Sequence, residues 1–348
     1  MGIRLPGLVR CLGRCAAVRV SLASNEGRAP RDLDLPVLEA EALAPYPRER
    51  TLEARFAERF GLTEDRVLVT AGADDGLLRA CLATLGPGRE AVVATPTFEM
   101  IPRYVALAGG SLVRVAWPEG PFPVDRLLAS VGPRTEVVFL VTPNNPTGGV
   151  IPPDQVARIA RACPTALIVL DAAYGELAEA DPTDVALGLE NVVVLRTLSK
   201  AWGLAGLRVG CVLGTPAWIE RLAASGNPFP VSVASRAIAL ERLATGAEDV
   251  ASYVERIRAE REELTHLVQE LGARPALPTQ GNFVLVRGLD AERTTREVAE
   301  RGFALRRFPD DPELADAVRI TLPGESTVFA ALVDALTAVL PRTLERPS

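Results

Sequence analysis

The chain has 348 residues, of which 48% are hydrophobic, and a formal net charge of −6 from 38 basic and 44 acidic residues. This length suits two domains of ordinary size, and the apolar content suffices for their cores. The charges are spread along the chain without a basic block that could follow a phosphate backbone. This distribution argues against nucleic acid as a partner and favours a soluble cytoplasmic protein.

The N-terminal segment is rich in arginine and has no acidic residue before Glu26. We expect a surface arm there, with an organelle-targeting peptide as the alternative. Neither this segment nor any other contains an apolar run long enough to span a membrane. Cys11 and Cys15 could form a disulfide, although two reduced thiols suit a reducing compartment better. With five cysteines in no ligand pattern and a single histidine, His266, no metal site is expected.

Seven short apolar runs in the first two thirds of the chain predict strands that are buried on both faces, because they are rich in Val and Leu and mostly lack alternation. They span residues 67–70, 91–94, 112–115, 137–141, 166–170, 192–195 and 209–213. Helical patterns at 74–85, 98–107 and 153–162 lie between them. This rhythm predicts an α/β domain with a mostly parallel, doubly wound sheet.

The rhythm changes at residues 229–235, and the rest of the chain predicts a smaller α+β domain. Its predicted elements are a long charged helix at 249–271, strands at 283–286 and 318–321, and helices at 292–301 and 326–340. We therefore divide the chain into residues 1–44, an N-terminal arm with part of the small domain, residues 45–235, the large domain, and residues 236–348, the C-terminal small domain.

Four polar segments directly follow predicted strands of the large domain. They are residues 71–74 (AGAD), 142–148 (TPNNPTG), 171–174 (DAAY) and 197–200 (TLSK). In open α/β sheets, ligands bind outside the carboxyl ends of the strands. We therefore expect the four segments to meet at one edge of the sheet and to form a single site.

The residue types in these segments indicate a ligand with a phosphate group. A helix that starts at 72–74 offers free N–H groups and the positive end of its dipole to an anion. Thr197 and Ser199 add hydroxyl groups, and Arg208 adds a cation that can bind phosphate through two hydrogen bonds. The Asp74 carboxylate would repel the anion, so it should cap the helix or point away.

Two further residues indicate the rest of the ligand. Asp171 lies in an apolar neighbourhood where an unpaired carboxylate is costly, so a protonated pyridine nitrogen is a suitable partner. Lys200 lies beside the phosphate-binding residues, where a partly desolvated amine can form a Schiff base. A phosphate cradle, a carboxylate and a lysine together indicate pyridoxal 5′-phosphate.

Three segments resemble the signature of the fold-type I, class I and II aminotransferases, and most closely the histidinol-phosphate aminotransferase family. They are TPNNPTG at 142–148, LDAAY at 170–174 and TLSKAWGLAGLRVG at 197–210. The resemblance extends from about residue 20 to residue 340. It implies a pyridoxal-phosphate-dependent transferase of fold type I, a homodimer with shared active sites, and transfer of an amino group between glutamate and imidazole acetol phosphate in histidine biosynthesis.

The resemblance also implies roles for individual residues. Lys200 matches the Schiff-base lysine and catalytic base, Asp171 matches the carboxylate on the pyridine nitrogen, and Tyr174 with Asn145 matches the pair that binds the phenolic oxygen. Phe98 matches the aromatic residue that stacks on the ring, where tyrosine is more usual. The phosphate ligands would be Ala73, Asp74, Thr197, Ser199 and Arg208, with Tyr46 reaching in from the neighbouring subunit.

On the substrate side, Arg319 matches the arginine that binds the substrate carboxylate, and Asn282 matches a position near the substrate. Arg306 could hold a substrate phosphate, although a solvated pair with Arg307 is an alternative. The chain departs from the family pattern with Ala172 in place of Glu and with Asn-Glu-Gly-Arg at 25–28 in place of Asn-Glu-Asn-Pro.

The cofactor residues leave several functions open. An aminotransferase for another amino acid, aromatic or similar, would use the same residues, and so would a threonine-phosphate decarboxylase. A non-catalytic regulatory protein on this scaffold is disfavoured by the intact Lys200, Asp171 and Arg208. A dinucleotide-binding oxidoreductase would need Gly-x-Gly-x-x-Gly after an early strand, which residues 72–76 do not supply.

Overall fold

The computed structural model describes residues 19–343, so Cys11, Cys15 and most of the arginine-rich arm lie outside the described residues. The strands are β1 (Val20–Ser21), β2 (Val67–Thr70), β3 (Glu90–Thr95), β4 (Ser111–Ala116), β5 (Thr135–Val141), β6 (Leu167–Asp171), β7 (Val192–Thr197), β8 (Gly210–Leu213), β9 (Arg274–Pro275), β10 (Phe283–Arg287), β11 (Phe303–Ala304), β12 (Arg306–Arg307) and β13 (Val318–Thr321). The helices are α1 (Thr51–Phe60), α2 (Gly72–Thr84), α3 (Met100–Leu107), α4 (Val124–Ala129), α5 (Pro153–Ala162), α6 (Thr183–Leu187), α7 (Pro216–Ala223), α8 (Val233–Thr245), α9 (Ala247–Glu270), α10 (Ala291–Ala299) and α11 (Ser326–Thr343).

The large sheet contains the seven predicted strands, each with ends within two residues of the prediction. Its order is β2-β8-β7-β6-β5-β3-β4. All neighbouring pairs are parallel except those of β8, which runs antiparallel to both β2 and β7. The expectation of a mostly parallel α/β sheet is therefore confirmed.

Helices cover both faces of this sheet, which explains why its central strands lack alternation. Successive residues of one strand enter different cores. Leu195 packs with Leu77 of α2 on one face, whereas Val194 belongs to the core on the other face with Val156 of α5. Residues on both faces are therefore apolar, and only the strand ends are left to carry polar groups.

The smaller α+β unit is built around an antiparallel sheet of order β12-β13-β10-β9. The N-terminal strand β1 pairs in parallel with β11, so that Val20 lies opposite Phe303. Segments from both ends of the chain thus meet here, and the predicted domain boundaries at 44 and 235 stay a prediction. Within residues 19–343, no helix has the length and apolar character needed to cross a bilayer.

Candidate active site

The polar segments that follow the strands meet at one edge of the large sheet. β2, β5, β6 and β7 run in the same direction, and β8 starts at the edge where they end. Asp171 is the last residue of β6 and lies between Val141 of β5 and Leu195 of β7. The charges of Asp74 and Lys200 both act on the Asp171 carboxyl, so three of the four segments are electrostatically coupled.

Arg208 lies at the centre of the predicted phosphate cradle. Its Nη1 donates to Ser199 Oγ at 3.3 Å, and its Nη2 donates to Asp74 Oδ2 at 3.2 Å. Thr197 Oγ1 lies 2.9 Å from Ser199 Oγ. The Arg208 backbone is left-handed, with a φ of 53°, which is uncommon for a residue other than glycine and marks functional sites.

The start of α2 is shaped to approach this arginine. A Cβ added to Gly72, whose φ is +77°, would lie 2.8 Å from Arg208 Nη2, so glycine leaves open the space beside the guanidinium. Asp75 rather than Asp74 accepts the N–H of Ala71, at 3.1 Å. The Asp74 carboxylate turns to Arg208 instead, and burial raises its pKa against the opposing effect of Arg208 and Lys200.

Asp171 is a buried carboxylate without a neighbouring cation strong enough to offset its burial. Its side chain is 5% exposed, and Oδ1 accepts the N–H of Ala173 at 3.1 Å. Burial raises the pKa of Asp171 to about 6, although the Ala173 N–H and Lys200 act in the opposite direction. No cation among residues 19–343 offsets the burial of Asp171, and a protonated ring nitrogen is a group that would do so.

Lys200 is the only lysine of the chain. Its Nζ donates to the carbonyl oxygen of Ser24 at 3.4 Å and lies 5.4 Å from the centre of the Tyr174 ring. Tyr174 is itself buried and meets the edge of the Phe283 ring at 5.3 Å between centroids. The Lys200 amine therefore lies over the ring of the buried Tyr174.

The segment at residues 23–28 crosses the site from the N-terminal side, and we call it the N-terminal strap. Its carbonyl groups accept from Arg319 at Ala23 and from Lys200 at Ser24, and its Asn25 side chain reaches Tyr174. None of these three residues was predicted as a site residue. The backbone contacts of Ala23 and Ser24 leave no signal in a sequence, because every residue type has a carbonyl oxygen. Asn25 does leave one, since Asn25 and Glu26 match the first two residues of the family pattern Asn-Glu-Asn-Pro.

The departure from the family pattern at 27–28 has a structural reason. A Cβ on Gly27 would lie 1.7 Å from the carbonyl oxygen of Lys200, so only glycine allows this contact. Arg28 forms an ion pair with Asp249 and lies 3.6 Å from Glu325, which ties the strap to α9 and to the start of α11.

Arg319 is a buried cation on β13. Its Nη1 donates to Asn145 Oδ1 and its Nη2 to the Ala23 carbonyl, both at 2.6 Å. The guanidinium lies near the rings of Phe283 and Phe308, and its Nε has no hydrogen-bond partner within the described part of the chain. Burial lowers the pKa of Arg319 to about 10. Arg319 is therefore a desolvated cation with one unsatisfied N–H group in the described part of the chain.

Arg306 lies beside Arg319, because β12 and β13 pair these two residues directly. Arg306 is partly exposed and donates to Glu99 Oε2 at 2.9 Å. Glu99 was not predicted as a site residue, since it directly precedes a helix whose pattern is otherwise apolar. The two arginines form an adjacent cationic pair with different surroundings, one buried and one ion-paired near the surface.

For three further predicted residues, Asn282, Phe98 and Tyr46, the structure shows contacts with other residues of the chain. Asn282 is fully buried, and its Nδ2 lies 3.2 Å from the Glu26 carbonyl and 3.4 Å from that of Asn25, so it holds the strap. Phe98 is half-buried against the core under α3. Tyr46 is 68% exposed and stacks on Phe229 at 4.9 Å. The substrate and cofactor contacts of these three residues stay predictions.

A buried ionic group supports the loops that carry the site. Arg196, just before Thr197, pairs with Glu176 at 2.8 Å and with Asp181. Trp202 Nε1 donates to Glu176 Oε1 at 3.1 Å. Because Glu176 lies two residues after Tyr174 and Trp202 lies two residues after Lys200, these bonds join the two loops that hold the phenol and the amine.

The chain resembles proteins of known family over most of its length. It matches the family model for aminotransferase class I and II over residues 33–336. A histidinol-phosphate aminotransferase of Erythrobacter litoralis is 34% identical over 339 residues, or 91% of this chain and 89% of the relative. A second, of Rhodospirillum centenum, is 36% identical over 340 residues, or 92% and 90%. The solved structure of histidinol-phosphate aminotransferase from Sinorhizobium meliloti in complex with pyridoxal-5′-phosphate matches with a TM-score of 0.80 and 28% identity, covering 93% of this chain and 90% of that chain.

Proposed function

The chain belongs to the class I and II aminotransferases, and from this premise we propose that it uses pyridoxal phosphate to transfer an amino group between glutamate and imidazole acetol phosphate. The products would be 2-oxoglutarate and histidinol phosphate. The observation that carries the proposal is that the buried Asp171, Lys200 and the Arg208–Ser199 contact lie at the same edge of the large sheet, where the Lys200 charge acts on the Asp171 carboxyl.

The residues at the sheet edge fit pyridoxal phosphate. The first turn of α2 with Ser199 and Arg208 would hold its phosphate, and the space beside Gly72 is open for it. Asp171 would bind the protonated ring nitrogen, which would remove the cost of its buried charge. When bound, the cofactor would supply a conjugated ring that withdraws electrons from the substrate α-carbon.

Lys200 supplies the amine and the base of the reaction. Its Nζ would carry the proton to and from the substrate α-carbon as a general base and acid. The Ser24 carbonyl and the Tyr174 ring restrict the volume that this flexible side chain can explore. Restricting the side chain before the reaction lowers the entropic cost of bringing the amine to the reacting carbon.

The two adjacent arginines fit substrates with anionic groups. Arg319 is buried near the Phe283 and Phe308 rings and could bind the α-carboxylate of glutamate through two hydrogen bonds. Arg306, on the more exposed side, could bind the phosphate of the second substrate in exchange for Glu99. Glutamate and histidinol phosphate both carry negative charge, so one cationic pair could serve both half-reactions.

The purified protein with added pyridoxal phosphate tests this proposal. We expect a visible absorbance band, and borohydride reduction should attach one cofactor per chain at Lys200, which mass spectrometry can locate because no other lysine is present. Glutamate and histidinol phosphate should each bleach the band, with formation of 2-oxoglutarate from glutamate and of imidazole acetol phosphate from histidinol phosphate. If neither glutamate nor histidinol phosphate bleaches the band, the proposed substrates are wrong. Release of carbon dioxide from phosphothreonine without keto-acid formation would identify a decarboxylase instead.

We also propose a homodimer in which Tyr46 reaches the phosphate of the neighbouring subunit. The surface between residues 35 and 46 exposes the large apolar side chains of Leu35, Val37, Leu43 and Tyr46. An apolar surface of this kind suits a protein interface. Val37→Asp should reduce the sedimenting mass to that of a monomer. The control Leu107→Asp, at an exposed leucine on α3, should leave the mass unchanged. A cytoplasmic location stays a prediction.

A further inference from the structure

Asn25 has an unusual conformation and an unusual position. Its φ is 55°, and among residues 19–343 only Arg208 shares a positive φ without being glycine. Its side chain is 1% exposed. Asn is among the few residues that tolerate the left-handed region, and a buried amide must have its hydrogen bonds satisfied. This position therefore restricts both the backbone and the side chain.

The Asn25 amide bridges two residues that are far apart in the chain. Nδ2 donates to the Tyr174 hydroxyl oxygen at 3.1 Å, and Oδ1 accepts from Thr321 Oγ1 at 2.7 Å. Thr321 lies on β13, two residues after Arg319. The bridge thus connects the strand of the buried arginine to the phenol beside Lys200.

The surroundings fix the amide in place. Asn282 holds the carbonyls of Asn25 and Glu26, and Gly27 packs against the Lys200 carbonyl. The Thr321 hydroxyl donates a hydrogen bond to Asn25 Oδ1. The other end of the Asn25 amide, Nδ2, therefore points its N–H group at Tyr174. The Tyr174 oxygen is then an acceptor toward Asn25, and its own O–H must point in another direction.

We propose that Asn25 is a positioning residue that turns the Tyr174 hydroxyl proton toward the phenolic oxygen of the cofactor. This inference rests on the proposed function, since it requires pyridoxal phosphate beside Tyr174. A phenol that donates to this oxygen stabilises its deprotonated form. Asn25 acts through Tyr174, and neither Thr321 nor Asn25 needs to touch the cofactor.

Two substitutions separate this role from a merely structural one. Asn25→Gly removes the amide and keeps the left-handed backbone. Asn25→Asp keeps the size and the backbone preference, but its carboxylate can only accept, so it draws the Tyr174 proton away from the cofactor. Gln269→Glu introduces a negative charge in the same way at the exposed end of α9 and serves as the control.

The measurement is a pH titration of the visible absorbance of the protein-bound cofactor, together with the Kd for pyridoxal phosphate. We expect the titration midpoint of the cofactor in the Asn25→Gly protein to rise by about 0.5 to 1 pH unit, which corresponds to the free energy of one lost neutral hydrogen bond. Asn25→Asp should raise it by more than about 1 unit, because a charge is added beside the phenol. Gln269→Glu should titrate like the wild type.

The outcomes distinguish this inference from the function on which it rests. Wild-type protein that takes up no pyridoxal phosphate would overturn the proposed function. Wild-type protein that binds and titrates, with both Asn25 variants at the same midpoint, would overturn only the role of Asn25. If Asn25→Gly does not fold, the Asn25→Asp midpoint decides the matter, and an unchanged or lower value counts against the proposal.

Discussion

The two halves of the site are built in different ways. The cofactor half consists of Asp171, Ser199, Lys200 and Arg208, which lie within forty residues of each other at the ends of neighbouring strands. The substrate half joins Arg319 to the N-terminal strap, through a bond between residues 296 apart. The first half follows from strand order, whereas the second requires the whole chain to be folded. Substitutions in the two halves should therefore impair different properties of the protein, cofactor binding in the first and substrate binding in the second.

The largest effect is expected in the cofactor half, from Lys200→Ala. The variant loses both the amine that attaches the cofactor and the general base, so kcat/KM should fall by more than about 10³-fold. Borohydride should leave it without a cofactor adduct, and its visible absorbance should be absent. The thermal midpoint of the cofactor-free protein serves as the folding control. A variant that retains activity would contradict the assignment.

Asp171→Asn should separate activity from stability. Loss of the negative charge opposite the ring nitrogen should reduce kcat by about 10²- to 10³-fold. The folded-state pKa of Asp171 is raised from 3.8 to about 6, so ionising this buried group destabilises the cofactor-free protein increasingly between those pH values. At pH 8 the cofactor-free variant should be more stable than the wild type by about 3 kcal/mol.

Urea unfolding of both cofactor-free proteins at pH 8 and pH 4 checks this prediction. The difference in the free energy of unfolding should be present at pH 8 and nearly disappear at pH 4. A variant that is less stable than the wild type at pH 8 would show that the site tolerates the Asp171 charge without a bound cation.

Arg319→Lys tests the substrate half. The variant keeps the charge but loses the fork that reaches Asn145 and Ala23 together, so we expect kcat/KM for glutamate to fall by about 10²-fold. The Kd for pyridoxal phosphate should change by less than about 3-fold, because the cradle around Arg208 is intact. A loss of cofactor affinity as large as the loss of activity would show that the two halves are not separable.

The smallest effect is expected from Arg306→Gln. Because this arginine is partly exposed, we expect KM to rise by about 10-fold for histidinol phosphate and to remain nearly constant for glutamate. Glu99→Gln is the matched variant that releases Arg306 from its ion pair, and it should lower KM for histidinol phosphate slightly. Equal changes for both substrates would argue against a phosphate contact.

The same contrast explains which features could be predicted from the sequence. The strands of the large sheet were predicted because burial on both faces requires runs of Val and Leu, and the spacing of Lys200 and Arg208 is local. The contacts of Asn25 could not be predicted, since its partners Tyr174 and Thr321 lie 149 and 296 residues away. The two-residue strands β1, β9, β11 and β12 are too short to produce a periodic pattern. The role of Tyr46 depends on a second chain, which a single sequence does not describe.

The close packing of Gly27 on the Lys200 carbonyl has a consequence for the order in which the protein is assembled. The strap is synthesised before the surface on which it docks, because that surface includes Lys200 and Arg319, which leave the ribosome much later. One of the first parts of the described chain to be made must therefore be among the last to reach its final position. Until it docks, a nascent chain can hold a complete phosphate cradle while the arginine side of the site is still open to water.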